Sequence, residues 1–165
     1  MPFTPFHWGP SSLIGLLLIK IFDFPALLLS SVLVDIEPVL VLFLNLDYPL
    51  HGPVHSFLGG SIIAILTSMI VYALKNKIKI IMSFFRLAQD SSFNKILMTS
   101  FFGVYFHILL DSPLYRDIKP FYPIESNMFY GLFSLQQIYL FCVLSLLIAI
   151  LFYSFKFLFV KGQQD

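Results

Sequence analysis

Cysteine is almost absent from this 165-residue chain. The single Cys142 lies inside an apolar run, which excludes an internal disulfide and any cysteine-rich zinc ribbon. It reads as a small buried hydrophobe. Charge is scarce as well: 12 % of residues are charged and the formal net charge is +1. With no basic excess to neutralise phosphates, the composition argues against nucleic acid as a partner. The opening Met1-Pro2-Phe3-Thr4-Pro5-Phe6-His7 has no basic n-region and does not read as a cleavable signal peptide. Gly-x-Ser-x-Gly, His-Glu-x-x-His and glycine-rich phosphate-loop patterns are all missing. Internal repeats and low-complexity tracts are missing too.

Apolar residues, by contrast, make up 58 % of the chain, twenty of them phenylalanine, and the mean hydropathy is +0.88. These values place the chain among membrane proteins. The expected fold is an all-α, polytopic membrane protein in one domain, residues 1–165. About three helices should span, accompanied by a short N-terminal helical hairpin and an amphipathic surface helix. Helix one is expected over Pro10–Phe22 and helix two over Pro25–Asp35. Each has about a dozen residues, or about 18 Å, short of the roughly 20 residues a bilayer crossing needs. Glu37 precedes Pro38, which disfavours helical geometry at Glu37 and predicts a break near Asp35-Ile36-Glu37. Val39–Leu46 is a further short apolar piece. Helix three opens at Gly52-Pro53 and reaches about Leu74, and residues 78–88 read as the amphipathic surface helix. Helix four covers Phe93–Asp111, residues 112–127 form a polar loop, and helix five covers Met128–Val160.

Within this apolar chain all four histidines, His7, His51, His55 and His107, sit in short polar motifs. Ionisable groups in apolar spans are costly and mark functional sites by default. With helices three to five spanning, the histidines gather on one side together with Asp35, Glu37 and Asp111. Lys20, Lys75, Lys77, Lys79, Arg86, Lys95, Lys156 and Lys161 fall on the other, leaving Arg116 and Lys119 with the histidines. Such a bias turns the histidine side away from the cytoplasm. His107 and Asp111 stand four apart, neighbours on a helix face, and can chelate one ion or bridge two; a buried His–Asp pair is the alternative. His51 and His55 flank Pro53, so they need not share a face, and an interfacial loop explains them equally. Asp35-Ile36-Glu37 is either a ligand-bearing break or a solvated turn. His7 beside Trp8 also suits an interfacial anchor. Arg116 and Lys119 are solvated loop charges or dock an anionic headgroup. Imidazoles and carboxylates together point to a divalent metal, zinc first and manganese second, in one or two ions. A metal-activated water is then the simplest catalytic option.

His7, Asp35-Ile36-Glu37, His51 to Ser56, His107 to Asp111 and Lys119-Pro120-Phe121-Tyr122-Pro123 form an ordered series. The series resembles the YdjM-like inner-membrane proteins, described as membrane-bound metal-dependent hydrolases. That family is distantly similar to zinc-dependent phospholipases C and single-strand nucleases. The resemblance implies metal-ligand roles for His107, Asp111, His55, Asp35 and His7. It also implies a general-base or further ligand role for Glu37. The expected activity is hydrolysis of a phosphoester in a lipid or lipid-linked substrate, with His51 as a further ligand and Asp35 or Glu37 accepting the proton. Two competitors use the same residues: a metal-binding carrier, and a structural subunit with membrane protein partners.

Overall fold

The computed structural model describes residues 4–161, with side chains from Phe6 to Lys156. Residues 1–3, which carry part of the signal-peptide argument, and the Lys161 side chain lie outside that range. Six α-helices follow one another: α1 (Trp8–Leu17), α2 (Phe24–Leu33), α3 (Ile36–Phe43), α4 (Phe57–Phe84), α5 (Phe93–Asp111) and α6 (Leu135–Lys161). Short 3₁₀ turns at Thr4–His7 and Pro53–His55 precede α1 and α4. No strand occurs among the described residues, and the protein is all-α.

The helix starts follow local chemistry. Asp23 caps α2 by accepting a hydrogen bond from the Ala26 N–H at 3.0 Å. Ser56 caps α4 through the Gly59 N–H at 3.0 Å, and Ser92 caps α5 through the Lys95 N–H at 3.3 Å. Each cap satisfies one of the backbone donors that a helix start leaves unpaired. Helices α1 and α2 form the expected hairpin, and Gln89 closes it. The Gln89 amide oxygen accepts from the Phe24 N–H at 2.8 Å. Its nitrogen donates to the Ile19 and Phe22 carbonyls at 2.7 and 2.8 Å. One side chain thereby serves the end of α1, the turn and the start of α2.

The boundaries depart from the sequence reading at several places. Helix α1 runs from Trp8 to Leu17 instead of Pro10 to Phe22, and α4 starts at Phe57, after the Pro53–His55 turn, instead of at Gly52-Pro53. Helix three does not stop near Leu74. Residues 61–84 contain neither glycine nor proline, so α4 continues to Phe84 and absorbs most of the amphipathic segment. It ends at Arg86, whose left-handed φ of 54° breaks the helical path. The last helix starts at Leu135 instead of Met128, after a turn in which Gly131 takes a φ of 82°. The break between α2 and α3 falls at Val34–Asp35, and Glu37 itself is helical. Pro38 is accommodated inside α3 because the first helical turn needs no N–H from it. Since the break does not reverse the chain, Phe24–Phe43 becomes a fourth stretch long and apolar enough to cross a membrane. The others are Phe57–Phe84, Phe93–Asp111 and Leu135–Lys156.

The outer faces agree with a membrane setting. Leu58, Ile62, Leu66 and Met69 on α4, and Leu140, Leu144, Leu147 and Leu151 on α6, are all exposed. At helical spacing these make continuous apolar stripes that water would not tolerate but lipid does. Inside, small residues let backbones approach. A Cβ on Gly9 of α1 would collide with the Cys142 carbonyl of α6, and one on Gly103 of α5 with the Ser30 hydroxyl of α2. Cys142 is buried, as expected. Val34, Ala64, Val104 and Ile108 form a core that joins α4 and α5 to the end of α2.

Gly9→Ala and Gly103→Ala should each lower the thermal midpoint in detergent, because overpacking costs about 1–3 kcal/mol. Unchanged midpoints would show that neither helix pair relies on its close approach.

Candidate metal centre

Three chain segments converge at one end of the helical body. Asp35 comes from the α2–α3 break, His55 from the 3₁₀ turn before α4, and His107 and Asp111 from the last turns of α5. One donor atom from each lies within 4.8 Å of the others. All four side chains are buried, Asp35 being the most exposed at 7 %. The group is one that could hold a metal ion.

Its imidazoles are oriented from behind. His107 Nδ1 donates to the Ser31 carbonyl at 2.8 Å, and His55 Nδ1 donates to Glu37 Oε2 at 2.9 Å. With each Nδ1 proton so placed, each Nε2 presents a lone pair to the centre, as metal-binding histidines commonly do. Nε2 of both residues, and Asp111 Oδ1, are buried without a hydrogen-bond partner. Such orphans are expensive. They fit a cation: two donors on one tetrahedral ion with bonds of about 2.1 Å lie about 3.4 Å apart. Here His55 Nε2 is 3.6 Å and His107 Nε2 3.4 Å from Asp35 Oδ1, and His107 Nε2 is 3.6 Å from Asp111 Oδ2. A divalent ion would also cancel the charge of the two carboxylates.

His7 lies against this group. Its ring stacks on His107 at 4.1 Å between centroids. Nε2 is 3.1 Å from Asp111 Oδ1, yet neither atom makes a hydrogen bond, so they are close without being aligned. Burial first, then the neighbouring His107, lower its pKa. For His55, burial is the largest influence and lowers the pKa. The adjacent Asp35 and Glu37 carboxylates outweigh it, and the net shift is upward.

The remaining expected residues take different places. His51 is buried, but its Nδ1 faces Asp117 at 3.0 and 3.1 Å, and its N–H donates to the same carboxylate at 3.2 Å. Its ring meets His55 edge-on at 4.8 Å, one ring removed from the four-residue group. Burial first, then His55, lower its pKa. Glu37 sits behind His55 and accepts a second bond from the Val54 N–H at 3.3 Å, so it orients a ligand and does not face the centre. Lys119 pairs with Glu125 at 3.3 Å, and Arg116 is exposed on the loop. Within Lys119–Pro123, the Pro120 carbonyl accepts from the Phe57 N–H at 2.8 Å and Phe121 packs edge-on against Phe57, fixing that stretch to the start of α4.

Two participants escape the sequence reading. Ser31 acts through its main-chain carbonyl, which no side-chain pattern marks. Asp117 looks like one more polar loop charge; its spacing of six from Asp111 has no helical meaning once α5 has ended. The Tyr115 ring also lies on His51, 4.4 Å away, and burial raises the pKa of its phenol.

Zinc supplied during purification without chelator should bind stoichiometrically to the wild-type protein and be lost in His107→Ala and Asp111→Ala, as read by elemental analysis. Glu37→Gln should retain the site but weaken it by about 10–100-fold, the usual cost of losing an orienting partner.

Comparison with known proteins gives no match: no family model fits the chain, and neither a curated protein nor a solved structure is similar to it.

Proposed function

We propose that this protein is a membrane-bound metal-dependent hydrolase acting on a phosphoester of a lipid or lipid-linked substrate. One observation carries the reading: two buried imidazole lone pairs and two buried carboxylates converge at one end of an apolar helical body. The motif series shared with the YdjM-like proteins supports it. The nitrogen and oxygen donor set favours zinc, with manganese second. A divalent ion there supplies Lewis acidity toward a phosphoryl oxygen and lowers the pKa of a bound water.

The chain's own residues have separable tasks. His55, His107, Asp35 and Asp111 bind the ion. Ser31 and Glu37 hold the two imidazoles in the binding tautomer. Asp35 also stands where a proton acceptor is needed, between the two Nε2 atoms. Glu37 is better suited to positioning, because its carboxylate already serves His55 and Val54. The charge bias argues for an inner-membrane protein with this end on the extracytoplasmic side. A carrier gains little support: the Thr67 and Ser68 hydroxyls, candidates for a polar path, bond back to the Ile63 and Ile65 carbonyls of their own helix.

Metal-loaded protein in proteoliposomes should release headgroup or phosphate from at least one member of a panel of phospholipids and polyprenyl phosphates. His107→Ala and Asp111→Ala should fall to background. A panel left intact by protein of full metal content would refute the hydrolase reading and leave a structural subunit as the better account.

A further inference from the structure

Beside the metal group, on the far side of His51, lies a cavity of about 190 Å³ lined by Tyr48, Pro49, His51, Gly52, Pro53, Asp117, Lys119 and Tyr122. Two connections build it, the one leading into α4 and the one following α5. Both lie at the end of the body where α5 delivers Asp111. Its inner wall is shared with the centre. His51 stands edge-on to His55, and Gly52 lies so close to Glu37 that a Cβ would come within 2.6 Å of Oε1. Whatever fills this cavity is one side chain away from the ligands.

Size and lining narrow the occupant. Whole small-molecule sites run from about 300 to 1,000 Å³, so this one takes a headgroup and not an entire ligand. At about 30 Å³ per water it holds roughly six waters, a set of hydrogen bonds that a ligand must replace. The charged groups are of opposite sign. Asp117 and Lys119 each leave 39 % of the side chain exposed, so a bare anion gains from one and is repelled by the other. A quaternary ammonium meets the converse conflict. Hydroxyl groups suit both, since each can donate to the carboxylate and accept from the ammonium. Asp117 retains acceptor capacity after bonding His51, because an ionised carboxylate offers about four lone-pair sites. Among the described residues the Lys119 ammonium pairs with Glu125, which is 82 % exposed, and exposed pairs of this kind are weak. The Tyr48 hydroxyl and ring edge lie over Gly52 and add a phenol to the wall.

We infer that this cavity is a subsite for a hydroxyl-rich headgroup, a polyol or sugar joined to phosphate, which reaches the metal group past His51. The consequence for catalysis rests on the hydrolase reading; the binding itself does not. A polyol held here directs its phosphoester toward His55 and His107, which assigns the substrate class as polyol- or sugar-phosphate lipids, in preference to choline lipids or phosphatidic acid.

The test is calorimetric titration of the full-length protein in detergent with sn-glycerol 3-phosphate, inorganic phosphate and phosphocholine. Glycerol 3-phosphate should bind at least about tenfold more tightly than either of the others, about 1.4 kcal/mol. Lys119→Met and Tyr48→Phe should each erase most of that preference while the metal content stays at the wild-type value. Equal binding of the three probes, no binding, or a preference for phosphocholine or bare phosphate would overturn the subsite, and so would a preference that survives both substitutions. Because metal content and lipid hydrolysis are read separately, a preserved glycerol 3-phosphate preference in an inactive protein would overturn only the hydrolase reading.

Discussion

His55 is gripped on both edges of its ring, by Glu37 at Nδ1 and by Asp35 toward Nε2, and this clamp depends on a helix that stops and restarts. In an unbroken helix, residues two apart point to different faces. The interruption at Val34–Asp35 removes that restriction. Asp35 turns toward the end of α5 while Glu37, now inside α3, reaches round to the back of the same imidazole. The short turn Pro53–His55 supplies the other half of the condition by holding His55 just ahead of α4, free of the helical register that Ser56 begins.

The apolar remainder makes such an arrangement affordable. Close packing at Gly9 and Gly103 brings α1 against α6 and α2 against α5, so the polar end is built by backbones that cannot drift apart. Serine and threonine hydroxyls along these interfaces mostly bond to carbonyls of their own helices, as Ser30 and Ser31 do to Leu27 and Leu28. They are satisfied locally and ask nothing of neighbouring helices. The buried atoms that lack partners are concentrated among the histidines and Asp111. The Ser11, Ser91, Ser100 and Tyr115 hydroxyls lack partners too, but nowhere else do such atoms crowd together as they do where an ion can answer them.

Much of this was legible beforehand. Composition set the fold class, since a mean hydropathy of +0.88 admits few alternatives. The pairing of His107 with Asp111 followed from a spacing of four, and the break near Asp35 from Glu37-Pro38. The separation of His51 from the face of His55 followed from Pro53. What stayed hidden was tertiary. Nothing local shows that Asp117 answers His51 across 66 positions, or that Ser31 offers its carbonyl to His107 across 76. The length of α4 was missed for another reason. Lysines at 75, 77 and 79 suggest an end by polarity, but polarity alone does not stop a helix, and the left-handed Arg86 comes only after Phe84.

The origin of the four ligands has a further consequence. Asp35, His55 and the His107–Asp111 pair belong to stretches separated by 20 and 52 positions of chain, so an ion held among them would be a cross-link. It would tie the end of the N-terminal hairpin to the start of α4 and the end of α5, closing two loops that would otherwise be free to open in the unfolded chain. Whatever binds only the folded form adds to its stability in proportion to the logarithm of its free concentration. With an ion held there, the integrity of this end of the protein would be set partly by the metal activity of its surroundings.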